Sequence, residues 1–580
     1  MKKLYLIILL LAFAHPALGA THYVDLDDGS DSNGGTSTSD AWLNIPGTRN
    51  TGKTAFLSNS WATINAGDTI KIKSGTTHSS SDGGIVEIDS GFYATNATTS
   101  NYILIQRDTT WGTGAITFDG TGITTGGNGW GIIHTQIGGV KIDGVTSDGI
   151  VVQDAANNGF SHWPTSNTQA VSLQYMKFYN NGTSYAAENA SAADIVIHRT
   201  INGGLIDNVN IDGNSSYING IIFGESNLAA VGYTISNTTS ANHTGNDDGG
   251  IGFKAYNSQL TFDNCTSYNN FKGFDLGEQS GSGRDITYVI TNSISHSNSF
   301  GINMNNSQGS YAGDVNWYII NTVVRDNTNL GTNIYAGPYN LYILHSVFDN
   351  NGAANFDRGN VGVTVDTHTD DMTTVYMYNN ILYKPNAGSG SGNGENLMVK
   401  RFADADGNFA LYSDYNSWVA KGTEDAVGWS TYSFQSVACY FQYGADGPGN
   451  SSGDWYDFYG CDGSASSNGH YHADANSLVS TPADRTNDPP FTDQPSNDYT
   501  LTATYPGVDI TGLGFYTALP TAIKTAIATD KDGVTRTLWD MGAYESGEAA
   551  APANSIQGVS ISELKVTDNL TAWNRTDGLR

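Results

Sequence analysis

The sequence predicts an all-β protein, a right-handed parallel β-helix in which three short strands make one coil of a solenoid. The first observation behind this is an internal repeat, which runs through residues 204–350. Each copy reads as an apolar strand, an Asn, a second short strand, a turn, and a Gly followed by alternating apolar residues. Successive copies begin "LIDNVNIDGN", "YTISNTTSANH", "LTFDNCTSYNN", "YVITNSISHSN", "YIINTVVRDN" and "YILHSVFDNN". The second observation is the period. Asn208, Asn237, Asn264, Asn292 and Asn321 recur every 27 to 29 residues, His345 takes the place in the next copy, and Asn379 and Asn416 continue the series less regularly. Three strands and their turns fit that length, and stacking such coils makes long parallel sheets with rungs about 4.8 Å apart. Parallel crossovers set the right-handed winding. The third observation is composition. Only 14% of residues are charged, Gly alone supplies 69 of 580, and 38% are hydrophobic, which describes strands and turns around a real core.

Stacked Asn side chains at a corner satisfy turn backbone groups from coil to coil, so the Asn series is expected to be structural rather than catalytic.

The two ends differ from the repeat. Lys2 and Lys3, the apolar run from Leu4 to Phe13, and Ala17-Leu18-Gly19 read as a cleavable secretory signal over residues 1–19. The expected location is therefore secreted or extracellular, with periplasm or cell surface as variants. Residues 20–75 read as an N-terminal cap, 76–420 as the β-helix, and 421–548 as an irregular insertion, last coils and a closing segment. Residues 549–580 read as a linker-like tail. Within the closing segment "LPTAIKTAIA" at 519–528 predicts a short helix and "LWDMGAYES" at 538–546 a final strand.

The formal charge is −30. That excludes nucleic acid as a natural partner, because phosphate binding needs clustered Lys and Arg. No long apolar stretch follows the signal, so no membrane insertion is expected once it is removed. A monomer is expected. Of the three cysteines, Cys439 and Cys461 are spaced to pair across a local loop, with Cys265 outside that bridge.

Aligning the coils on their last Gly gives a map of one face. Alternation puts Ile221, Phe223, Ile251, Phe253, Phe274, Leu276, Ile302 and Met304 inside. One outward column then reads Ile222, Gly252, Asp275, Asn303, Asn333, and the column beside it Gly224, Lys254, Gly277, Asn305, Tyr335. Lys254 and Asp275 thus lie outward on adjacent coils, roughly 5–8 Å apart. Asp247 and Asp248 precede Lys254 in a turn. Asn303, Asn305 and Tyr335, with Arg284 nearby, offer sugar-binding groups; Lys272 is a further cation on the same coils. The plainer readings are a surface ion pair for Lys254 and Asp275 and an ordinary turn for Asp247-Asp248-Gly249. His243 and His296 read as turn histidines, and "DLDDGSDSNGG" near the start as a solvated turn.

The cap and the closing segment, "DYTLTATYPGVDITG" followed by "DGVTRTLWDMGAYE", resemble secreted β-helix proteins of the pectate-lyase-like superfamily. The closest local match is to polysaccharide lyase family 9. That resemblance implies an Asp-Asp-Gly-aromatic-Asp turn that binds calcium, followed one coil later by Gly-Phe-Lys-Leu-Gly with Lys as the base. Asp247-Asp248-Gly249 matches the start of the first motif, with Ile251 where the third acid would stand. Gly273-Phe274-Asp275-Leu276-Gly277 matches the second, with Asp275 in place of the Lys.

The expectation is a secreted protein acting on a polysaccharide, as a calcium-assisted lyase of a uronate-containing chain. In a calcium-assisted elimination Lys254 would take the proton, and Ca2+ held by Asp247, Asp248 and Asp275 would neutralise the substrate carboxylate. A glycoside hydrolase using two of these carboxylates is the alternative. A non-catalytic carbohydrate-binding surface adhesin is the third.

Overall fold

The structure is a computed structural model. It describes residues 19–546 apart from 59–60, 124–129, 167, 185–191, 225–230, 246–248, 279–284, 307–314, 336–338, 353–359, 366–372, 384–396, 403–408, 420–426, 433–468, 474–477, 481–487 and 538. Residues 1–18 of the expected secretory signal, the 549–580 segment, Cys439 and Cys461 fall outside this set. The chain divides into two compact units, residues 1–185 with 192–211, and residues 212–580 with 186–191. Each is a stretch of right-handed parallel β-helix, as the repeat predicts.

In the first unit, the first sheet runs Thr21–Val24, Thr69–Ser74, Ile103–Gly112, Val140–Asp143, Ser172–Gln174 and Leu205–Asp207. Every neighbour pair is parallel. The second sheet holds Thr77–His78, Ile116–Asp119, Ile150–Gln153 and Met176–Tyr179, and the third Val86–Ile88, Gly131–Thr135, Asn158–His162 and Ala193–Ile197. Alternate residues point inward, so Ile70, Ile105, Ile142 and Leu173 stack in one buried column of the first sheet, and Phe118, Val152 and Phe178 in another of the second.

The second unit repeats the plan with greater regularity. Its first sheet includes Gln259–Asp263, Ile286–Thr291, Val315–Ile320, Asn340–Leu344 and Thr373–Tyr378. The second sheet includes Thr239–His243, Thr266–Tyr268, Ile294–His296, Val323–Arg325, Val347–Asp349 and Ile381–Tyr383. The third includes Asn219–Phe223, Ile251–Tyr256, Lys272–Glu278, Phe300–Asn306, Leu330–Tyr335 and Val361–Val365. All eight residues expected inside the third sheet are buried.

Each coil turns two corners through a left-handed residue. Between the first and second sheets this residue is Asn237, Asn264, Asn292, Asn321, His345 or Asn379, with φ between 49° and 57°. Asn tolerates that conformation where most residues pay roughly 1–2 kcal/mol. The Asn series is therefore structural, but its placement differs from a buried ladder. Asn237 and Asn264 are exposed and bond each other at 2.8 Å; Asn321 and Asn379 are buried under the closing segment. Asn416 does not belong to this series. Tyr415 holds the left-handed position in its coil, and Asn416 points inward one residue later.

The buried ladders lie one residue past each corner, where the backbone has turned its polar groups inward. At the second corner Asn270, Asn298, Asn327 and Asn351 stack. Each accepts from the backbone N–H of the preceding coil's residue, as Asn298 Oδ1 does from Asn270 N at 2.9 Å and Asn327 Oδ1 from Asn298 N at 3.0 Å. His243 starts this ladder: its N–H donates to Asn270 Oδ1, so the histidine is a core residue. At the first corner Ser293, Ser346, Asn380 and Asn416 serve in the same way. Cys265 is buried in that row, its thiol directed to Ile235 O.

The closing segment covers two outer faces of the second unit. Ile510, Leu519, Ile523 and Ile527 pack on Val289, Tyr318, Ile320 and Leu344 of the first sheet. The predicted helix is present as Thr521–Ile527, with Ile523 and Ile527 one turn apart on the packed face. Tyr499, Leu501, Tyr505, Met541 and Ala543 pack on Val323, Val347 and Ile381 of the second sheet. The expected strand at 538–546 is instead a loop among the described residues, with an isolated antiparallel bridge between Asp540 and Pro506. It is held by the buried Arg536–Glu545 pair at 2.8 Å, and Arg536 also donates to Asn321 Oδ1.

Removing one rung of the inner ladder should cost far more than changing a corner. Asn298→Ala strands the Asn270 N–H and the Ser267 carbonyl, and about 2–4 kcal/mol of stability should be lost. Asn264→Gly keeps a residue suited to the left-handed corner and should change stability by less than about 0.5 kcal/mol. Urea unfolding midpoints of the two variants check the contrast.

Candidate functional site

The outer face of the third sheet in the second unit carries the polar residues singled out by the sequence. The inner side is fixed by Phe253, Phe274, Ile302 and Met304, all fully buried, and Phe253 and Phe274 stack at 4.9 Å. Alternation then obliges Lys254, Asp275 and Asn303 to point the other way.

Register brings these residues closer than the sequence map placed them. Lys254 is directly opposite Asp275, Asp275 opposite Asn303, and Asn303 opposite Asn333. Lys254 therefore belongs to the same outward column as Asp275, with Ile222 before it. The map was two residues out because it matched Gly250 to Gly273. Gly250 is a turn residue with φ +78°, whereas Gly252 is the one in the stack. A Cβ on Gly252 would lie 2.5 Å from Ser267 Oγ and 2.8 Å from Gly273 O, so only glycine fits there. The neighbouring column reads Tyr256, Gly277, Asn305, Tyr335.

Asp275 is the hub. It is 1% exposed, and three side chains donate to it. Lys272 Nζ lies 3.3 Å from Oδ2, Tyr256 Oη donates to the same oxygen at 3.1 Å, and Asn303 Nδ2 donates to Oδ1 at 2.5 Å. Asn333 Nδ2 in turn donates to Asn303 Oδ1 at 2.6 Å. The chain of amides thus has one direction, ending on the carboxylate. Lys254 is 5% exposed and sets its ammonium 5.6 Å from the centre of the Tyr256 ring. Asn305 Oδ1 is buried with no hydrogen-bond partner among the described residues, leaving an acceptor on the same floor.

Of the expected site residues, Lys254, Asp275 and Asn303 come together and Asn305 stands one column away. The backbone of Tyr335 takes the rung beside Asn305. Asp247, Asp248 and Arg284 lie outside the described residues. Tyr256 was missed, although it stands two residues after Lys254 and so shares its face; the misplaced Gly hid it. Lys272 proves to be the direct ionic partner of Asp275.

The third metal ligand does not fit as expected. Both oxygens of Asp275 already accept donors, one of them an ammonium, so a calcium ion would have to displace Lys272. Among the described residues no group of three His, Cys, Asp or Glu is placed to hold a metal. In the acidic N-terminal turn Asp25 accepts from the Asp27 and Asp28 N–H groups and pairs with Lys73 at 2.7 Å, so that segment is a turn closed by a lysine.

The first unit holds a second polar cluster that the sequence did not suggest. His134 Nδ1 and Ser161 Oγ are 2.7 Å apart, and Glu87, opposite His134 in the sheet, accepts from Arg49 and Gln136. Burial, then the Arg49 charge, hold His134 down near pKa 3 and therefore neutral. Ser161 is fully buried and accepts the Gly131 N–H, and the Trp130 indole stacks on His134 at 4.5 Å. This is a sealed network rather than a nucleophile open to substrate.

No protein-family model matches the chain, and no curated protein matches it. Among solved structures it is similar to the pectate lyase Pel9A, at 16% identity and TM-score 0.34, over 67% of this chain and 79% of that one. It is similar to the periplasmic alginate epimerase AlgG at 10% identity and TM-score 0.31, over 72% and 78%. It is also similar to the GH136 lacto-N-biosidase from Eubacterium ramulus at 8% identity and TM-score 0.29, over 67% and 66%.

The Asp275 hub makes a clear energetic forecast. Asp275→Ala leaves Lys272 and Tyr256 without their shared acceptor and should cost about 3 kcal/mol. The double variant Lys272→Met/Asp275→Asn, which removes the charge pair together, should recover most of that loss. Thermal unfolding of the two variants measures the difference.

Proposed function

We propose that the protein acts on a uronate-containing polysaccharide and cleaves it by β-elimination, with Lys254 as the proton acceptor. The observation that carries this reading is the gathering of two lysines around one carboxylate on successive rungs, Lys254 opposite Asp275 and Lys272 bonded to it. In a chain of net charge −30, a face where lysines outnumber carboxylates among the described residues is where an acidic sugar finds its counter-charge. The local match of Asp247-Asp248-Gly249 and Gly273-Phe274-Asp275-Leu276-Gly277 to polysaccharide lyase family 9 supports the same substrate class.

The chemistry follows from the positions. The proton on C5 of a uronate is acidic because it lies next to the carboxylate, and more so when that charge is neutralised. Lys272 supplies a positive charge on the same face. Lys254, as the neutral amine, takes the C5 proton; the electrons of that C–H bond form the C4–C5 double bond, the C4–O bond breaks, and the leaving glycosidic oxygen takes a proton from solvent. Asp275 is a positioning residue that holds Tyr256, Lys272 and Asn303 in place, and the Asn305 acceptor is available to a sugar hydroxyl. Calcium, when bound, would add charge on the substrate carboxylate. Its remaining expected ligands are Asp247 and Asp248, fewer oxygens than calcium usually takes, and no step here depends on it.

The hydrolase reading takes two of Asp247, Asp248 and Asp275 as its working carboxylates, and Asp275 is the one among the described residues. With three donors already on it, that role has less support than the positioning role.

Purified protein incubated with pectate, alginate and glycosaminoglycans should release unsaturated product, followed by its ultraviolet absorbance, from at least one of them. The rate should rise with pH, since only the neutral amine is a base. Lys254→Ala should lower kcat by about 100-fold or more while leaving the fold intact. New reducing ends without ultraviolet absorbance would replace this reading with hydrolysis, and binding without turnover would replace it with an adhesin.

A further inference from the structure

The closing segment is pinned to the second sheet through one unusual carboxyl group. Asp349 ends the strand Val347–Asp349 and is 1% exposed. Its Oδ2 accepts from Tyr499 Oη and from Gln494 Nε2, each at 2.6 Å. Its Oδ1 is buried and has no hydrogen-bond partner among the described residues. Both donors come from the hairpin formed by Phe491–Asp493 and Asp498–Leu501. The Phe491 ring seals the group by packing edge-on against Tyr383 at 5.7 Å and Tyr499 at 5.3 Å.

The surrounding charges do not neutralise it. Arg325, opposite Asp349 one rung earlier, gives its guanidinium to Asp326 at 2.9 Å. Asp326 itself opposes ionisation of Asp349. Tyr383 faces it from the next rung, and Gln494 and Tyr499 face it from the hairpin. Of the hairpin's own carboxylates, Asp498 is turned to Thr500. His296, one rung beyond Arg325, is held near pKa 4 by burial and by Arg325, and so is neutral in the range that matters. A buried carboxyl with one oxygen undonated and no cation bonded to it costs more to bury ionised than protonated.

We propose that Asp349 is a pH-sensitive latch: its protonated form holds the 491–501 hairpin against the second sheet, and its ionisation loosens that hairpin. The site is separate from the Lys254 face and independent of the function proposed for it. Burial, the largest influence, raises the Asp349 pKa to about 6. With the hairpin open, the group regains an ordinary aspartate value. Closure therefore takes up a proton. The hairpin is held most tightly below the ordinary aspartate pKa, and that hold weakens as pH rises through about 6.

Native-state hydrogen exchange of the full protein tests the latch. Protection factors for amides in Phe491–Asp493 and Asp498–Leu501, corrected for intrinsic rates, should fall about ten-fold between pH 5 and pH 8 by linkage. Asp349→Asn imitates the neutral acid and should flatten that dependence, with protection at pH 8 equal to or above the wild type. Tyr499→Phe removes a donor to the carboxylate and should make the fall steeper. Protection that does not change with pH in the wild type, or an equal fall in Asp349→Asn, overturns the proposal. So does a Tyr499→Phe protein whose fall matches the wild type.

Discussion

Everything in this fold depends on satisfying backbone groups at the inside of two corners per coil. A left-handed residue turns the chain sharply, and the next N–H then points into an interior lined by buried apolar side chains. The inward ladders answer this with amides and hydroxyls. Asn270, Asn298, Asn327 and Asn351 do so at one corner, and Ser293, Ser346, Asn380 and Asn416 at the other. Each bond joins successive coils, so the ladder satisfies the turn and fixes the register at once. A slip by one residue would turn every apolar side chain outward and leave the amides facing nothing.

Fixed register decides what each outer face can be. The first sheet of the second unit shows Tyr318, Tyr342 and Tyr376 in a continuous stack, an aromatic surface that needs a cover, and the helix Thr521–Ile527 with its neighbours supplies it. The second sheet is covered by the hairpin and by Met541 and Ala543. The third sheet carries Lys254, Asp275, Asn303 and Asn333 instead of apolar groups on the corresponding side. The candidate site stands there because that face is polar on successive rungs.

Two buried carboxylates show how much the local donors matter. Asp275 has three donors, including the Lys272 ammonium, and organises a charged cluster. Asp349 has two neutral donors and an oxygen with none, and burial raises its pKa. Both stand within outward columns of the second unit, and the donors each one meets set them apart.

The sequence by itself determined the coil. Its period, its inward alternation through Phe253, Phe274 and Met304, and the corner residues from Asn237 to Asn379 are local patterns, each legible within about thirty residues. The short helix near 519–528 was legible for the same reason. Tertiary structure decided the rest, because it depends on contacts between coils that no local pattern records. The true stacking glycine is Gly252, recognisable only by what a Cβ there would strike, and with it Lys254 moves two residues into the Asp275 column. The inner Asn ladder, the pairing of Lys272 with Asp275, and the reach of Tyr499 across 150 residues to Asp349 are likewise set by register and packing. Alternation tells a side chain which way to point; only the stacked neighbour tells it what it will meet.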